Sequence, residues 1–326
     1  MQKEENSVPI ILDTDIDMDV DDVGALAVLH ALADLGEANP LGVICDIPLE
    51  DCAKCAVTIN TYYNRKYLPV GVYSEDFETS QRYRRYRKAR DEKKHFTLYS
   101  RKVSEEFPPT EGNYPKIWDA VSLYRYLLSQ SKDSSVRIVA IGLLTALSAL
   151  LESEPDEYSS LNGIQLVKKK VDFLTTMGLG EFPESKDIFN WIIDWKSTQK
   201  VLEDWPTKVV IQPLGAQFLT GKCLSTQTPI SNPVRRSYEI YFNGKNKGNF
   251  SWDPLSVLYA VRGKEDIFKE IEGYEIVTDS ELGKNHWKKD INSQKSHVAL
   301  QLKGKKRDTA KRIDSLLIKP PKTRIK

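Results

Sequence analysis

The sequence predicts an α/β protein: a Rossmann-like, mostly parallel central sheet with helices on both faces, built as a single domain with insertions. Two observations predict this. Short β-rich apolar runs alternate with helical runs from residue 9 to residue 263, and repeated strand–helix alternation gives a parallel sheet covered by helices. The chain of 326 residues shows neither an internal repeat nor a composition shift that would divide it, and this length suits one large α/β domain.

The elements follow in order. PIILDT (9–14) reads as a strand, and DDVGALAVLHALADLG (21–36) as a helix. PLGVIC (40–45) is a strand, EDCAKCAVTINTYYNR (50–65) a helix and LPVGVY (68–73) a strand. Helix 120–130, strand 136–141, helix 144–153 and strand 171–178 come next. A helix over 190–204, a strand over 207–213 and a helix over 253–263 complete the alternation. Residues 1–8 are expected to be a flexible N-terminus, 9–318 the domain and 319–326 a disordered basic tail. A basic insertion over about 76–115 carries eight basic residues between Arg82 and Lys94; charge runs of this kind read as solvated surface.

Composition excludes several classes. With 47 basic and 46 acidic side chains, no global field draws the chain to nucleic acid or to a membrane surface. No apolar stretch approaches the ~20 residues of a membrane span. The opening MQKEENSVPI has no apolar h-region, so no signal peptide is expected. The compartment stays open: cytoplasmic, or exported with a leader removed. Cys52 and Cys55 form a lone CxxC; a zinc ribbon needs a second pair, and the motif reads as two cysteines on a packed helix. His30 reads as a packed or surface helix residue.

The chemistry concentrates after the first strand. Asp13, Asp15, Asp17, Asp19, Asp21 and Asp22 place six carboxylates within ten positions. Carboxylates this close repel, and their pKa values rise unless a cation neutralises them. Hard oxygen ligands without histidine or cysteine suit Ca²⁺, with Mg²⁺ second. A solvated loop capping the next helix would use one or two acids, not six. An EF-hand loop needs Gly at its sixth position and Glu at its twelfth; counted from Asp13 those are Met18 and Gly24. Haloacid-dehalogenase phosphatases show Asp-x-Asp-x-Thr/Val, and Asp17 departs from that pattern.

The arrangement LDTD, loop, DDVGAL resembles the inosine–uridine-preferring nucleoside hydrolase family, in a branch with Asp-Thr-Asp-x-Gly-x-Asp-x-Asp-Asp. VRIVAIGLLTALSALLES, VDFLTTMGLG, IFNWIIDWKSTQKVL and SWDPLSVLYAV resemble later family segments in family order, over about residues 9–262. The resemblance implies a metal-dependent hydrolase of N-glycosidic bonds in ribonucleosides, an N-ribosyl hydrolase. Asp15 is then metal ligand and general base, and Asp22, Asp253 and the Ile141 carbonyl complete the ion's shell. Asp21 and Asn190 would bind ribose, and Asp13 would orient the metal ligands. Asp17 and Asp19 take no fixed role; if the longer loop is absorbed differently, Asp19 takes the part given to Asp21. The partner is a small-molecule nucleoside or riboside, with neither nucleic acid nor membrane; a homo-oligomer is compatible with the sequence.

Four departures qualify the resemblance. Asp17 stands where the branch has Gly, and Ile188 where the family has Glu, with Glu184 and Asp187 close by. Asp46 falls at the family's asparagine and becomes a substrate contact. Trp252 replaces the histidine that helps protonate the leaving base; an indole can stack on a base but delivers no proton at neutral pH. His95, in the insertion, is the one other histidine to test as the acid. Two further readings stay open: a catalytically silent, metal-dependent nucleoside or sugar binder, and a haloacid-dehalogenase-type phosphatase.

Overall fold

The computed structural model describes residues 7–74, 88, 99–109, 114–279, 282–292, 295 and 297–322. His95, most of the basic insertion and the ends of both termini lie outside them.

The six apolar runs expected as strands all pair, and further strands that were not expected join them. The strands are β1 (Val8–Thr14), β2 (Ala38–Cys45), β3 (Val70–Val72), β4 (Trp118–Asp119), β5 (Val136–Ala140), β6 (Val171–Met177) and β7 (Lys208–Gln212). They continue with β8 (Leu219–Thr220), β9 (Asn249–Phe250), β10 (Phe268–Ile271), β11 (Tyr274–Asp279), β12 (Lys284–Lys289) and β13 (His297–Leu302). Nine of them form one sheet in the order β10-β13-β7-β6-β5-β1-β2-β3-β4. Neighbours run parallel except for the antiparallel pair β10–β13. β11–β12 and β8–β9 are separate antiparallel pairs.

From β1 the chain builds outward one way through β2, β3 and β4, and the other way through β5, β6 and β7. Chain order therefore reverses between β1 and β5, where Asp13 is in register with Ala140. Ligands of open α/β sheets bind beyond the strand carboxyl ends at such a reversal. The aspartate loop lies there.

Helices α1 (Asp21–Asp34), α2 (Glu50–Tyr62), α3 (Tyr99–Glu106), α4 (Ala120–Gln130), α5 (Thr145–Glu152) and α6 (Gly163–Lys170) come from the first half. Then follow α7 (Phe189–Ile193), α8 (Trp195–Asp204), α9 (Leu224–Gln227), α10 (Pro233–Tyr241), α11 (Trp252–Arg262) and α12 (Lys306–Leu317). Every residue of α1 from Asp21 to Leu32 is buried, because the helix packs against both α11 and α12. A helix apolar on all sides needs such a double cover.

One expected helix is two. The run 190–204 breaks at Asp194, whose φ of −126° and ψ of 73° leave the helical region. Its carboxylate accepts the Ser197 N–H at 3.3 Å and the Thr145 hydroxyl at 2.9 Å. Cys52 and Cys55 are buried free thiols in α2, and burial pushes both upward, as a packed helix requires. His30 is a core residue: Tyr63 stacks on it at 4.7 Å, and burial lowers its pKa to about 3. Among the described residues no helix is long and apolar enough to cross a membrane.

Candidate active site

The loop from β1 to α1 delivers its acids in different directions. Asp15, Asp17, Asp21 and Asp22 are buried, and Asp19 is half-buried. Asp22 takes the Thr14 hydroxyl as donor. Asp19, Asp22 and Asp253 bring carboxylate oxygens within 4.8 Å of one another. Asp253 stands in the first turn of α11, and its N–H donates to Asp21 Oδ2 at 3.2 Å. The other oxygen of Asp21 accepts Asn249 Nδ2 at 3.1 Å. Asp21 thus holds the start of α11.

Behind Asp15 lies a second layer. The Tyr124 hydroxyl donates to Asp13, and the Ile141 N–H donates to the Asp13 carbonyl at 2.8 Å. Gly142 is required by close approach: a Cβ there would lie 2.2 Å from Asp46 Oδ2 and 2.7 Å from the Asp15 nitrogen. Asn190 Nδ2 donates to the Ile141 carbonyl at 2.6 Å.

The electrostatics are those of crowded buried acids. Burial, then the Asp19 charge, pushes Asp22 up to about 8. Burial pushes Asp13 up to about 7. Asp15 is held well above the carboxylate range by burial and then by Asp22 and Asp19, and Asp253 by burial and then by Asp21. Asp46 rises for the same reason, with Asp13 its strongest charged neighbour. Asp15 Oδ2 and Asp253 Oδ1 are buried with no protein donor among the described residues. Buried polar atoms are rarely left so, and carboxylate oxygens are the donor type of a hard divalent cation. The residues present fit such an ion.

A cavity of about 450 Å³ opens on this cluster, lined by Asp15, Asp19, Asp22, Ile141, Asn190 and Asp253 together with Trp252, Met18, Met177, Leu179, Lys186, Asp187, Ile188 and Phe189. Six of the expected site residues therefore meet there: Asp15, Asp22, Ile141, Asn190, Trp252 and Asp253. Two expected substrate contacts do not face it. Asp21 is turned to α11 and Asn249, and Asp46 lies behind Asp15 and Gly142. Asp19 lines the cavity instead, the alternative the longer loop allowed. Asp13 and Asp17 sit outside the lining. Sequence reasoning missed Tyr124, Gly142 and Lys186, and gave no role to Asp187. A Gly after the β5 strand was visible, but its crowding by Asp46 was not.

No protein-family model matches this sequence, and no curated protein matches it. Solved structures do. An inosine-guanosine nucleoside hydrolase superposes with a TM-score of 0.68 at 13% identity, covering 95% of this chain and 98% of that one. A purine-preferring ribonucleoside hydrolase from Gardnerella vaginalis gives 0.67 at 14%, covering 95% and 98%. The type III effector protein XopQ, solved with adenosine diphosphate ribose, gives 0.66 at 15%, covering 96% and 94%. The chain adopts a nucleoside hydrolase-like fold over almost its whole length.

Proposed function

We propose that the protein is a divalent-cation-dependent N-ribosyl hydrolase acting on small ribosides. One observation carries the reading: Asp19, Asp22 and Asp253 converge in a cavity at the sheet's reversal point, beside an Asp15 oxygen without a donor. The nucleoside hydrolases of the same fold support it.

Asp19, Asp22, Asp253 and the Ile141 carbonyl would hold the ion, with Asp15 beside them. Ca²⁺ suits an oxygen cage with this many carboxylates better than Mg²⁺. When bound, such an ion would supply orientation of the attacking water and a lowered water pKa. Asp15 then takes the water's proton as it attacks the anomeric carbon. Positive charge builds on the ribosyl ring, and the carboxylates stabilise it. Asn190, which donates to the Ile141 carbonyl and lines the cavity, would meet ribose hydroxyls.

The test is base release from a nucleoside and riboside panel with and without chelator. Metal-dependent release supports the reading. Metal-dependent stabilisation without turnover would favour the silent binder, for which Trp252 and Ile188 in place of the family's His and Glu speak. Phosphate release from a phosphoester in place of base release would return the phosphatase reading, which the nucleoside hydrolase-like fold disfavours.

A further inference from the structure

The inference names a catalytic residue of this same site and rests on the hydrolase reading. A neutral nucleoside base leaves ribose as an anion unless a proton reaches it, and a positioned acid is worth ~10²–10⁴-fold. Five carboxylates line the cavity: Asp15, Asp19, Asp22, Asp187 and Asp253. Four of them surround the candidate ion site, where a divalent charge favours the ionised form. Asp187 stands apart. Its charged neighbours are Lys284 and His286 of β12, whereas Asp19 and Asp22 act on both Asp15 and Asp253. Asn190, which meets the Ile141 carbonyl, comes three residues later in the chain. Ile188 between them is extended, with φ of −102° and ψ of 172°, and this separates Asp187 from the Ile141 end of the cavity.

Asp187 is held from β12. The Asn285 N–H donates to its Oδ2 at 2.9 Å, and the Trp287 N–H donates to Ser185 Oγ at 3.0 Å. Alternate residues of the strand thus grip alternate residues of the loop. Asn285 is itself buried, and its Oδ1 accepts the Thr278 hydroxyl at 2.6 Å. The second oxygen of Asp187, Oδ1, is shielded from solvent and has no partner among the described residues. A buried charge without a partner costs far more than a neutral carboxyl. Burial accordingly holds Asp187 above the ordinary carboxylate range, against the pull of its hydrogen bonds from Asn285 and of the Lys284 and His286 charges. Other described groups of the wall do not compete. Ile188, Phe189 and Met18 carry no transferable proton, the Trp252 indole does not release its own at neutral pH, and Lys186 is exposed.

We propose that Asp187 is the leaving-group acid, which suits the site to nucleosides whose bases are not activated. The water oxygen bonds to the anomeric carbon as the carbon–nitrogen bond breaks. The bonding pair passes to the base, and the proton on Asp187 Oδ1 goes to a base nitrogen, so the base departs neutral. The water's proton goes to Asp15. Asp187 ends as a carboxylate and Asp15 as an acid, and proton exchange with solvent resets both. Two carboxyl groups in one cavity then have opposite tasks because their surroundings differ.

The experiment compares inosine, whose base needs the proton, with 4-nitrophenyl riboside, whose phenolate leaves without one. Both are given to the parent and to Asp187→Asn with calcium present. Asparagine still accepts the Asn285 N–H but has no proton to give as an acid. The expected result is a fall in kcat/KM for inosine of about 100-fold or more, carried by kcat, while the nitrophenyl riboside stays within about threefold. In the parent, kcat/KM for inosine should also drop as pH rises and Asp187 ionises, a limb absent from the nitrophenyl riboside profile. Equal losses on both substrates would make Asp187 a structural prop, and an unchanged inosine rate would place the acid elsewhere; either overturns the proposal. A parent that cleaves the nitrophenyl riboside alone overturns it too, while leaving the hydrolase reading standing. Cleavage of neither sinks both.

Discussion

The Tyr99 hydroxyl is fastened to Asp17, from which it accepts the backbone N–H at 2.9 Å. The same oxygen donates to the Asp19 carbonyl at 2.6 Å, and the Ser100 N–H donates to Asp17 Oδ1 at 3.2 Å. The start of α3 therefore clamps the aspartate loop from about eighty residues away in sequence. Asp17 has φ of +105°, a conformation natural to glycine and costly for other residues. The clamp is what holds an aspartate there.

Tyr99→Phe keeps the ring and removes the two hydroxyl bonds of the clamp, leaving the Ser100 N–H on Asp17. Partners that orient metal ligands are typically worth 10–100-fold in affinity, and calcium titration calorimetry should show a loss in that range. Asp17→Gly should stay within a few-fold of the parent, because glycine needs no help at that φ. An unchanged Kd in Tyr99→Phe would mean the loop holds its own shape.

Chelated protein should lose stability as pH rises. Asp22 and Asp13 titrate near 8 and 7 in the folded chain against an ordinary 3.8. The folded state thus binds more protons than the unfolded one between about pH 4 and 8. Stability then falls with pH across that window. Calcium needs the ionised acids, so its stabilising effect should grow over the same window, reaching about 2.7 kcal/mol at a hundredfold excess over Kd. Melting curves at pH 5.5 and 8, with chelator and with calcium, test both signs. A chelated protein more stable at pH 8 would remove the crowded-acid account.

Asp15→Asn and Asp253→Asn should differ in kind. Both weaken the ion's site, but only Asp15→Asn removes the base. At saturating calcium, Asp253→Asn should regain part of its activity and Asp15→Asn should not. Equal recovery in the two variants would take the base assignment away from Asp15.

Much of this was legible in the sequence, and the reasons are physical. An apolar run ending in Asp-Thr-Asp announces β1 because burial on both faces of a parallel strand demands continuous apolar residues. Local pattern could not decide between Asp19 and Asp21. That choice is made by Asn249 and the Asp253 N–H, more than two hundred residues away. Tyr99 carries no local mark of its partner loop. β12 reads KNHWKK, a charged run with no apolar alternation, and it supplies the Asn285 N–H that holds one oxygen of Asp187. Asp194 looked like a mid-helix residue, and only its hydrogen bonds to Ser197 and Thr145 make it a boundary.

Gly142→Ala should strike catalysis harder than stability. The added methyl would meet the Asp15 backbone nitrogen at 2.7 Å and the Asp46 carboxylate at 2.2 Å. Overpacking of this sort costs about 1–3 kcal/mol, but a displacement of ~1 Å at a reacting group can cost 10²-fold in rate. Activity on an activated riboside should fall by about that factor while the melting curve moves modestly. Full activity would mean that Asp15 is not held from behind by this glycine.

Trp252→His puts an imidazole where the indole now lines the cavity. Gly215 lies against the Trp252 ring, and Gln212 Nε2 holds the Trp252 carbonyl at 2.5 Å, so the backbone should keep its place when the smaller ring enters. Histidine can give a proton near neutral pH, and a well-placed acid contributes ~10²–10⁴-fold. Even an imperfectly aimed one should raise kcat/KM for inosine by about tenfold. The measurement is the ratio of kcat/KM for inosine and 4-nitrophenyl riboside, an activated riboside, in the parent and the variant. If the parent already cleaves inosine as fast as an activated riboside, a proton is arriving from elsewhere. Asp187 is then the first side chain to replace, and His95, outside the described residues, the second.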